Sequence, residues 1–278
     1  MTIIEPHIHM YSRTTDDYQA MYMAGIRACV EPSFWMGADR RYAGTFFDYF
    51  RLILDFETVR ARRFGIDHFS AIALNPKETE DTRLADEVIA GLGEYLDHPR
   101  CVALGEVGFN NITPNEEKAF VKQLHMANSR KMPVIVHLPH VNKLKGTIRT
   151  IEIVKAEGIN PDLIVLDHNT EETIKISKDT GCYCGMTVYP ISKLDPERAS
   201  NIIQEYGTDR MIVNGSADWG ISDPLSLVKV VKHMERKKLP LKDIQALVYD
   251  NPMKFYNQSS KWKPELQLIP VDPNVFQR

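Results

Sequence analysis

The sequence opens with two histidines whose spacing could hold a metal ion. His7 and His9 lie two residues apart in the stretch Glu5-Pro6-His7-Ile8-His9, at the end of the first apolar run. Side chains at positions i and i+2 of a β-strand point the same way, so both imidazoles can reach one point in space. Strand histidines with this spacing also occur without a metal. The pair therefore predicts a metal site only if other ligands gather around it.

Further imidazoles and carboxylates follow other apolar runs, and these candidates are Glu106, His137, His168 and Asp218. Each has an ordinary interpretation by itself, as a helix cap, a loop residue or a packed histidine. Together with the opening pair they make a ligand set without thiolate, which suits zinc, manganese, iron, cobalt or nickel. One catalytic zinc needs fewer ligands. Two ions about 3.5–4 Å apart, with a carboxylate bridge and a shared hydroxide, would use the whole set. The pattern predicts two divalent ions, with zinc first among the candidates.

The elements that must position these residues are short apolar runs separated by longer amphipathic ones. The short runs do not alternate with polar residues, which is typical of parallel strands covered on both faces. Strands are predicted at Ile3–His7, Ile26–Val30, Phe69–Leu74, Val102–Glu106, Val134–His137, Leu163–Asp167, Cys182–Val188 and Met211–Asn214. Helices are predicted at Thr45–Phe64, Asp81–Leu96, Asn115–Arg130, Lys143–Glu157, Thr173–Asp179, Pro196–Tyr206, Leu225–Lys238 and Leu241–Val248.

Eight strands alternating with helices indicate an α/β protein, a (β/α)8 TIM barrel in a single domain over residues 1–258. The structural alternative is a doubly wound open sheet, but no glycine-rich phosphate-binding turn follows an early strand. The chain changes character after Tyr256, where prolines appear without periodicity. Residues 259–278 are predicted to form an extended C-terminal tail that wraps the barrel or reaches a neighbouring subunit, so a homo-oligomer is an open expectation.

Composition excludes several classes of partner. The 278 residues are 43% hydrophobic and 26% charged with a net charge of -3, which gives no electrostatic attraction to nucleic acid or an anionic membrane. No apolar run is long enough to span a bilayer, and the N-terminus lacks the order of a secretion signal. The four cysteines are interpreted as reduced thiols of a cytoplasmic protein. Cys182 and Cys184 are interpreted as core residues rather than soft-metal ligands.

The motifs resemble those of a known family. The H-x-H opening and the Gly-Glu-Val-Gly phrase around Glu106 are similar to the TatD-like metal-dependent hydrolases of the amidohydrolase superfamily, as is the closing Asn251-Pro252 segment. The resemblance implies that Asp218 orients or deprotonates the attacking water and passes a proton to the leaving group. It further implies one metal held by His7, His9, Glu106 and Asp218, and a second held by Glu106, His137 and His168.

Several positions depart from the pattern of the TatD nucleases. Pro139 stands where an arginine is usual, Asn110 where an aspartate is usual, and Asn75 where a histidine is common. Ser216 replaces an acidic residue two positions before Asp218. Phosphate neutralisation needs lysine or arginine, and the strand-end loops offer few. These departures disfavour nucleic acid as a partner and leave a TatD-type metal-dependent deoxyribonuclease as an alternative.

Aromatic and polar side chains near the same strand ends predict a pocket for a small, partly apolar substrate. The aromatic residues could instead pack the barrel top, and Glu31 could simply hydrogen-bond a histidine. The leading hypothesis is a cytoplasmic, binuclear metal-dependent hydrolase that cleaves a small-molecule ester, amide, lactone or phosphoester. A mononuclear non-hydrolytic lyase, such as a decarboxylase, and a non-catalytic scaffold protein would also be compatible with these residues. The candidate substrate-binding residues are Glu31, Trp35, Asn110, His140, Tyr189 and Trp219.

Overall fold

A barrel of eight parallel strands forms the centre of the molecule in a computed structural model, which describes residues 1–271. Each strand pairs with the next in chain order. Backbone hydrogen bonds of 2.8 Å from Ser216 N to His7 O and from His9 N to Ala217 O join the ends of the last and first strands. The prediction of a single-domain (β/α)8 TIM barrel is confirmed. The strands are β1 Ile3–Glu5, β2 Ile26–Pro32, β3 Asp67–Ala71, β4 Cys101–Gly108, β5 Val134–His137, β6 Ile164–Asp167, β7 Tyr183–Thr187 and β8 Met211–Asn214.

Helices surround the barrel and occupy most of the connections. Two π-helical turns, Leu52–Phe56 and Ala246–Asp250, join α2 to α3 and α10 to α11 without a break in the helical path. The helices are α1 Thr15–Met23, α2 Ala43–Arg51, α3 Glu57–Arg63, α4 Thr82–Leu96, α5 Pro114–Ser129, α6 Lys143–Ala156, α7 Ile174–Lys178, α8 Pro196–Tyr206, α9 Ser226–Arg236, α10 Leu241–Gln245 and α11 Asn251–Tyr256. Among the helices within residues 1–271, none is long and apolar enough to cross a membrane.

The largest differences from the helix predictions concern α1 and α11. The helix α1 is additional, and its start is fixed by a capping box between Thr14 and Asp17 rather than by a strong apolar period. The last helical segment does not end at Val248, because α11 continues through Pro252 to Tyr256. Pro252 is the second residue of α11 and directly follows the π-helical turn, where the regular i to i−4 hydrogen-bond pattern is already interrupted.

The N-terminal end of the barrel is closed by residues from the end of the chain. Phe255, Tyr256 and Trp262 are buried against the barrel interior. The following segment lies across the same end, where Glu265 N donates a hydrogen bond of 2.8 Å to Asp67 Oδ2. Since this end is sealed, open space for a substrate remains at the opposite end, where the strands finish. Of the predicted tail, residues 272–278 lie outside the described part of the chain.

Candidate metal centre

Four strand ends bring imidazoles and a carboxylate to one buried point. Ligand atoms of His7, Glu106 and His168 lie within 4.8 Å of one another. His9 Nε2 is 3.1 Å from His7 Nε2, and His137 Nδ1 is 3.3 Å from Glu106 Oε1. The structure thus gathers five of the predicted ligands, which come from the ends of β1, β4, β5 and β6.

Glu106 occupies the middle of this cluster. Its Oε1 atom lies 3.1 Å from His168 Nε2 and 3.6 Å from His7 Nε2. Burial alone would raise the pKa of Glu106, but nearby His7 and a hydrogen bond from His137 lower that pKa well below its usual range. An ionised carboxylate among four imidazoles suits the bridging position that the sequence implied.

A chain of hydrogen bonds behind the cluster orients two of the histidines. His7 Nδ1 donates to Asp167 Oδ2 at 2.6 Å, and Asn214 Nδ2 donates to Asp167 Oδ1 at 2.9 Å. Thr187 Oγ1 donates to Asn214 Oδ1 at 2.8 Å and accepts from His168 Nδ1 at 2.6 Å. Burial opposes ionisation of Asp167, yet His168 and His7 lower its pKa below the usual range. An ionised carboxylate can only accept hydrogen bonds, so His7 and Asn214 must be the donors to Asp167. Asn214 Oδ1 is then left to accept from Thr187, whose oxygen in turn accepts from His168.

These hydrogen bonds engage the Nδ1 atoms of three histidines and leave their Nε2 atoms aimed at the cluster. His7 and His168 use their Nδ1 protons as described, and His9 Nδ1 donates to Pro32 O at 3.1 Å. Burial lowers the pKa of His9 to about 3 and that of His168 well below its usual value, so both rings are neutral. The Nε2 atoms of His9 and His168 therefore carry lone pairs, and a divalent ion could take the place of a proton between His9 Nε2 and His7 Nε2, which are 3.1 Å apart. The donor set therefore fits a divalent ion, and carboxylate–histidine pairs of this kind fix metal ligands in many proteins.

Asp167 is a functional residue that sequence reasoning missed. It directly precedes His168, and strand alternation would place the two side chains on opposite faces. His168 has a φ of 68°, in the left-handed region, which turns its ring back toward the same cluster. The only sequence signal was the acidic residue beside a strand-end histidine.

Asp218 lies apart from the other predicted ligands. Its Oδ1 atom accepts hydrogen bonds from Tyr189 OH at 2.8 Å and from Gly220 N at 2.7 Å. Ser216 instead stands beside the cluster, with its Oγ 3.4 Å from His7 Nε2. Asp218 still lines the cavity in front of the cluster. A role as metal ligand stays a prediction, and its place on the cavity wall suits a proton carrier.

The cavity in front of the cluster has a volume of about 160 Å³. Four of the predicted substrate-binding residues line it, namely Trp35, His140, Tyr189 and Trp219. The rings of Trp35 and Trp219 are 5.5 Å apart at their centroids and form an aromatic corner. The cavity is therefore bounded by the metal cluster on one side and by aromatic rings on the other.

The other two predicted substrate-binding residues are placed elsewhere. Glu31 faces outward from β2, and its buried carboxyl group contacts His68 Nε2 at 2.7 Å and Tyr11 N at 2.8 Å. Glu31 therefore hydrogen-bonds a histidine, which was the alternative interpretation of this residue. Asn110 N donates to Glu116 Oε2 at 3.1 Å, so this residue belongs to the turn before α5. Neither residue is among those that line the cavity.

Two lysines that the sequence analysis did not name line the cavity. Lys77 lies in the short helical turn Pro76–Glu78 after β3, and Lys193 lies in the loop after β7. Lys193 Nζ donates to Ser216 Oγ at 3.2 Å. Cationic side chains at the cavity are few, as expected, and both lie in the connections that follow strand ends.

Known proteins resemble the chain over nearly its whole length. The sequence model of a family described as TatD related DNase matches residues 6–257. A metal-dependent hydrolase of Methanocaldococcus jannaschii, itself uncharacterized, is 28% identical over 259 residues, which cover 91% of this chain and 99% of the relative.

Solved structures show the same architecture. The TatD-like protein from Archaeoglobus fulgidus has a TM-score of 0.74 and 25% identity, with 91% of this chain and 99% of that chain covered. The phosphotriesterase homology protein from Escherichia coli has a TM-score of 0.66 and 15% identity, with 92% of this chain and 98% of that chain covered. At that lower identity the likeness concerns the fold alone.

Proposed function

Because this chain belongs to the TatD family of metal-dependent hydrolases, we propose that it cleaves a small-molecule ester, amide, lactone or phosphoester at a centre of two divalent ions, zinc foremost. The observation that carries the proposal is the convergence of the Nε2 atoms of His7, His9 and His168 around the Glu106 carboxylate. Bound divalent ions supply Lewis-acid polarisation and acidify water at neutral pH.

The residues of the chain divide the remaining work. His7 and His9 would hold one ion, His137 and His168 the other, and Glu106 would lie between them. Asp218 takes a proton from the attacking water and returns it to the leaving group. Tyr189 OH donates a hydrogen bond to Asp218 Oδ1, which keeps that carboxylate at the cavity wall.

Two features support a small substrate in the cytoplasm. The cavity of about 160 Å³ is smaller than the roughly 300–1,000 Å³ of sites for drug-sized ligands. All four cysteines are buried thiols, which suits a reducing compartment.

A metal-dependent deoxyribonuclease is the second candidate. The family description favours it, and Lys77 and Lys193 could neutralise a phosphate at the cavity. A lyase would hold one ion per chain, which a determination of bound metal would reveal. A nuclease would be recognised by its activity on DNA.

The test is to measure bound metal and hydrolysis on the same preparations. Purified protein supplied with zinc or manganese should retain close to two ions per chain by mass spectrometry. It should hydrolyse at least one member of a panel containing an aryl ester, a lactone, an N-acyl amide, an aryl phosphate and single-stranded DNA. Glu106→Gln and His168→Ala should each lose metal and at least about 100-fold in activity.

His125 provides a matched control, because it is an exposed histidine that pairs with Glu157 at 2.8 Å on the outer surface. His125→Ala should keep both metal and activity. Absence of bound metal and of hydrolysis in the unaltered protein would overturn the proposal, one ion would favour the lyase, and activity on DNA alone would favour the nuclease.

A further inference from the structure

Two ammonium groups reach the cavity from separate loops. Lys193 is half-buried, with its Nζ 3.2 Å from Ser216 Oγ and 5.1 Å from the centroid of the Tyr189 ring. Lys77 is exposed at the mouth of the cavity, with its Nζ 4.4 Å from the centroid of the Trp35 ring. Their loops follow β7 and β3, on different sides of the barrel, so the cavity lies between the two charges.

No carboxylate within residues 1–271 lies at ion-pair distance from either ammonium group. Elsewhere on the molecule, by contrast, Lys122 Nζ contacts Asp86 Oδ1 at 2.6 Å. Burial lowers the pKa of Lys193, because desolvation disfavours its charged form. A half-buried charge without a counter-ion is unfavourable, and an anionic ligand would relieve that condition.

The carboxylates nearest to these lysines are already engaged. Glu106 is surrounded by imidazoles, and Asp218 Oδ1 accepts two hydrogen bonds. Metal ions in the cluster would add further positive charge. Glu106 and Asp218 balance the two lysines in formal charge, but neither carboxylate forms an ion pair with an ammonium group, and bound divalent ions would make the cavity positive.

An apolar surface lies beside the two charges. Trp35 and Trp219 meet with their ring centroids 5.5 Å apart, and Trp219 is 49% exposed. The neighbouring Ile221 is 74% exposed. A ligand held here would thus place a charged group between the lysines and a flat apolar part against the indole rings.

We propose that Lys77 and Lys193 form an anion-recognition site, and that the substrate carries a carboxylate or phosphate group which they bind while its apolar part contacts Trp35 and Trp219. This inference rests on the proposed function in naming the ligand a substrate. The charged group is one that the lysines hold, and it need not be part of the bond that breaks.

The experiment compares benzoate, phenylphosphonate and benzamide as ligands. Benzamide has the shape of benzoate without its charge. Binding is measured by tryptophan fluorescence, because two of the three tryptophans line the cavity. Metal-loaded and metal-free protein are both titrated, since direct coordination of the anion to metal is possible only in the former.

Unaltered protein should bind benzoate or phenylphosphonate at least about tenfold more tightly than benzamide, in both metal states. Lys193→Met and Lys77→Met should each weaken anion binding about five- to tenfold and leave benzamide binding within about twofold. Lys193→Arg should restore most of the affinity, because it returns the charge. Lys122→Met is the matched control and should change nothing.

The proposal falls if anion affinity is unchanged in both lysine variants, or if benzamide binds as well as benzoate to the unaltered protein. Should a variant fail to fold, the salt dependence of benzoate binding to unaltered protein decides, since affinity must fall between low and high ionic strength. Hydrolysis of a neutral aryl ester tests the proposed hydrolase function independently of anion binding. The anion-recognition site and the hydrolase function can therefore be refuted separately. Tighter binding of phenylphosphonate than of benzoate would identify phosphate as the group.

Discussion

At the scale of single residues, the cluster depends on side chains that would not touch the metal. Asp167 accepts a hydrogen bond of 2.6 Å from His7 Nδ1 and anchors the hydrogen-bond chain that ends at His168. In Asp167→Asn, an amide group would face the His7 ring N–H and the Asn214 amide, which are both donors. His7 would therefore lose the hydrogen bond that orients its ring. We expect Asp167→Asn to weaken metal binding about 10–100-fold with the fold retained. Metal titration with a competing chelator, together with circular dichroism, measures both effects, and unchanged affinity would contradict the assigned role.

Thr187 and Thr150 allow a paired comparison of buried hydroxyl groups. Thr187 Oγ1 links His168 to Asn214, whereas Thr150 Oγ1 is buried without a hydrogen-bond partner among residues 1–271. Thr187→Val should lower metal affinity and destabilise the fold by about 1–3 kcal/mol, because two buried polar groups lose their partner. Thr150→Val should be neutral or stabilising. Urea unfolding of both variants tests the contrast, which would be refuted if they behaved alike.

Glu31 makes the stability of the fold depend on pH. Burial raises the pKa of Glu31 from 4.5 to about 8 and lowers that of His68 from 6.5 to about 4, so at neutral pH their contact is a hydrogen bond between neutral groups rather than an ion pair. As pH rises, Glu31 ionises near pH 4.5 in the unfolded chain but only near pH 8 in the folded protein. Its contribution to the free energy of unfolding is therefore lost as pH rises from 4.5 to about 8. Glu31→Gln should remove that loss. Urea midpoints at several pH values would show the two proteins diverging up to about pH 8, and parallel curves would contradict the assignment.

At the scale of secondary-structure elements, close packing behind the cluster depends on a glycine in β7. A methyl group at Gly185 would collide with the Asp167 carboxylate. Gly185→Ala should therefore destabilise the protein by at least about 2 kcal/mol and lower metal affinity at the same time. Gly44 in α2 has open space around it, so Gly44→Ala is a control that should stabilise by up to about 1 kcal/mol. Thermal unfolding and metal titration of both variants decide the point.

Elements were predictable from the sequence where apolar runs were bounded by clear signals. The strands β5 and β8 and the helix α8 have the predicted bounds. Loop residues follow no hydrophobic periodicity that would predict where their side chains lie. Lys193 therefore went unnoticed, although its loop places it over the cavity, and Glu31 was assigned to the pocket although β2 turns it outward.

The candidate site was predictable in part, for a physical reason. A parallel barrel carries the ends of all its strands to one face, so ligands separated by up to 161 positions in sequence could be grouped without knowing their contacts. Partners of those ligands could not be grouped in the same way. His168 reverses the strand alternation with its φ of 68°, and only the three-dimensional path shows that Asp167 then faces His7.

At the scale of the whole molecule, metal binding should stabilise the barrel, because its ligands come from strands spread along the chain. A ligand present at 100 times its dissociation constant adds about 2.7 kcal/mol, which corresponds to a rise in Tm of roughly 5–10 °C for a domain of this size. Thermal scans with and without zinc test this, with Asp167→Asn expected to show a smaller rise. A Tm that does not respond to zinc or manganese would argue against binding in the folded state.

One contact joins the two ends of the described chain directly beneath the metal cluster. Tyr256 OH donates a hydrogen bond of 2.7 Å to Pro6 O, in the peptide that immediately precedes His7. His7 and His9 are translated well before Tyr256, so during synthesis the peptide that precedes His7 lacks this hydrogen bond until Tyr256 has been made. We therefore expect the site to form only after translation has passed Tyr256, and truncation before that residue to leave His7 and His9 without this support.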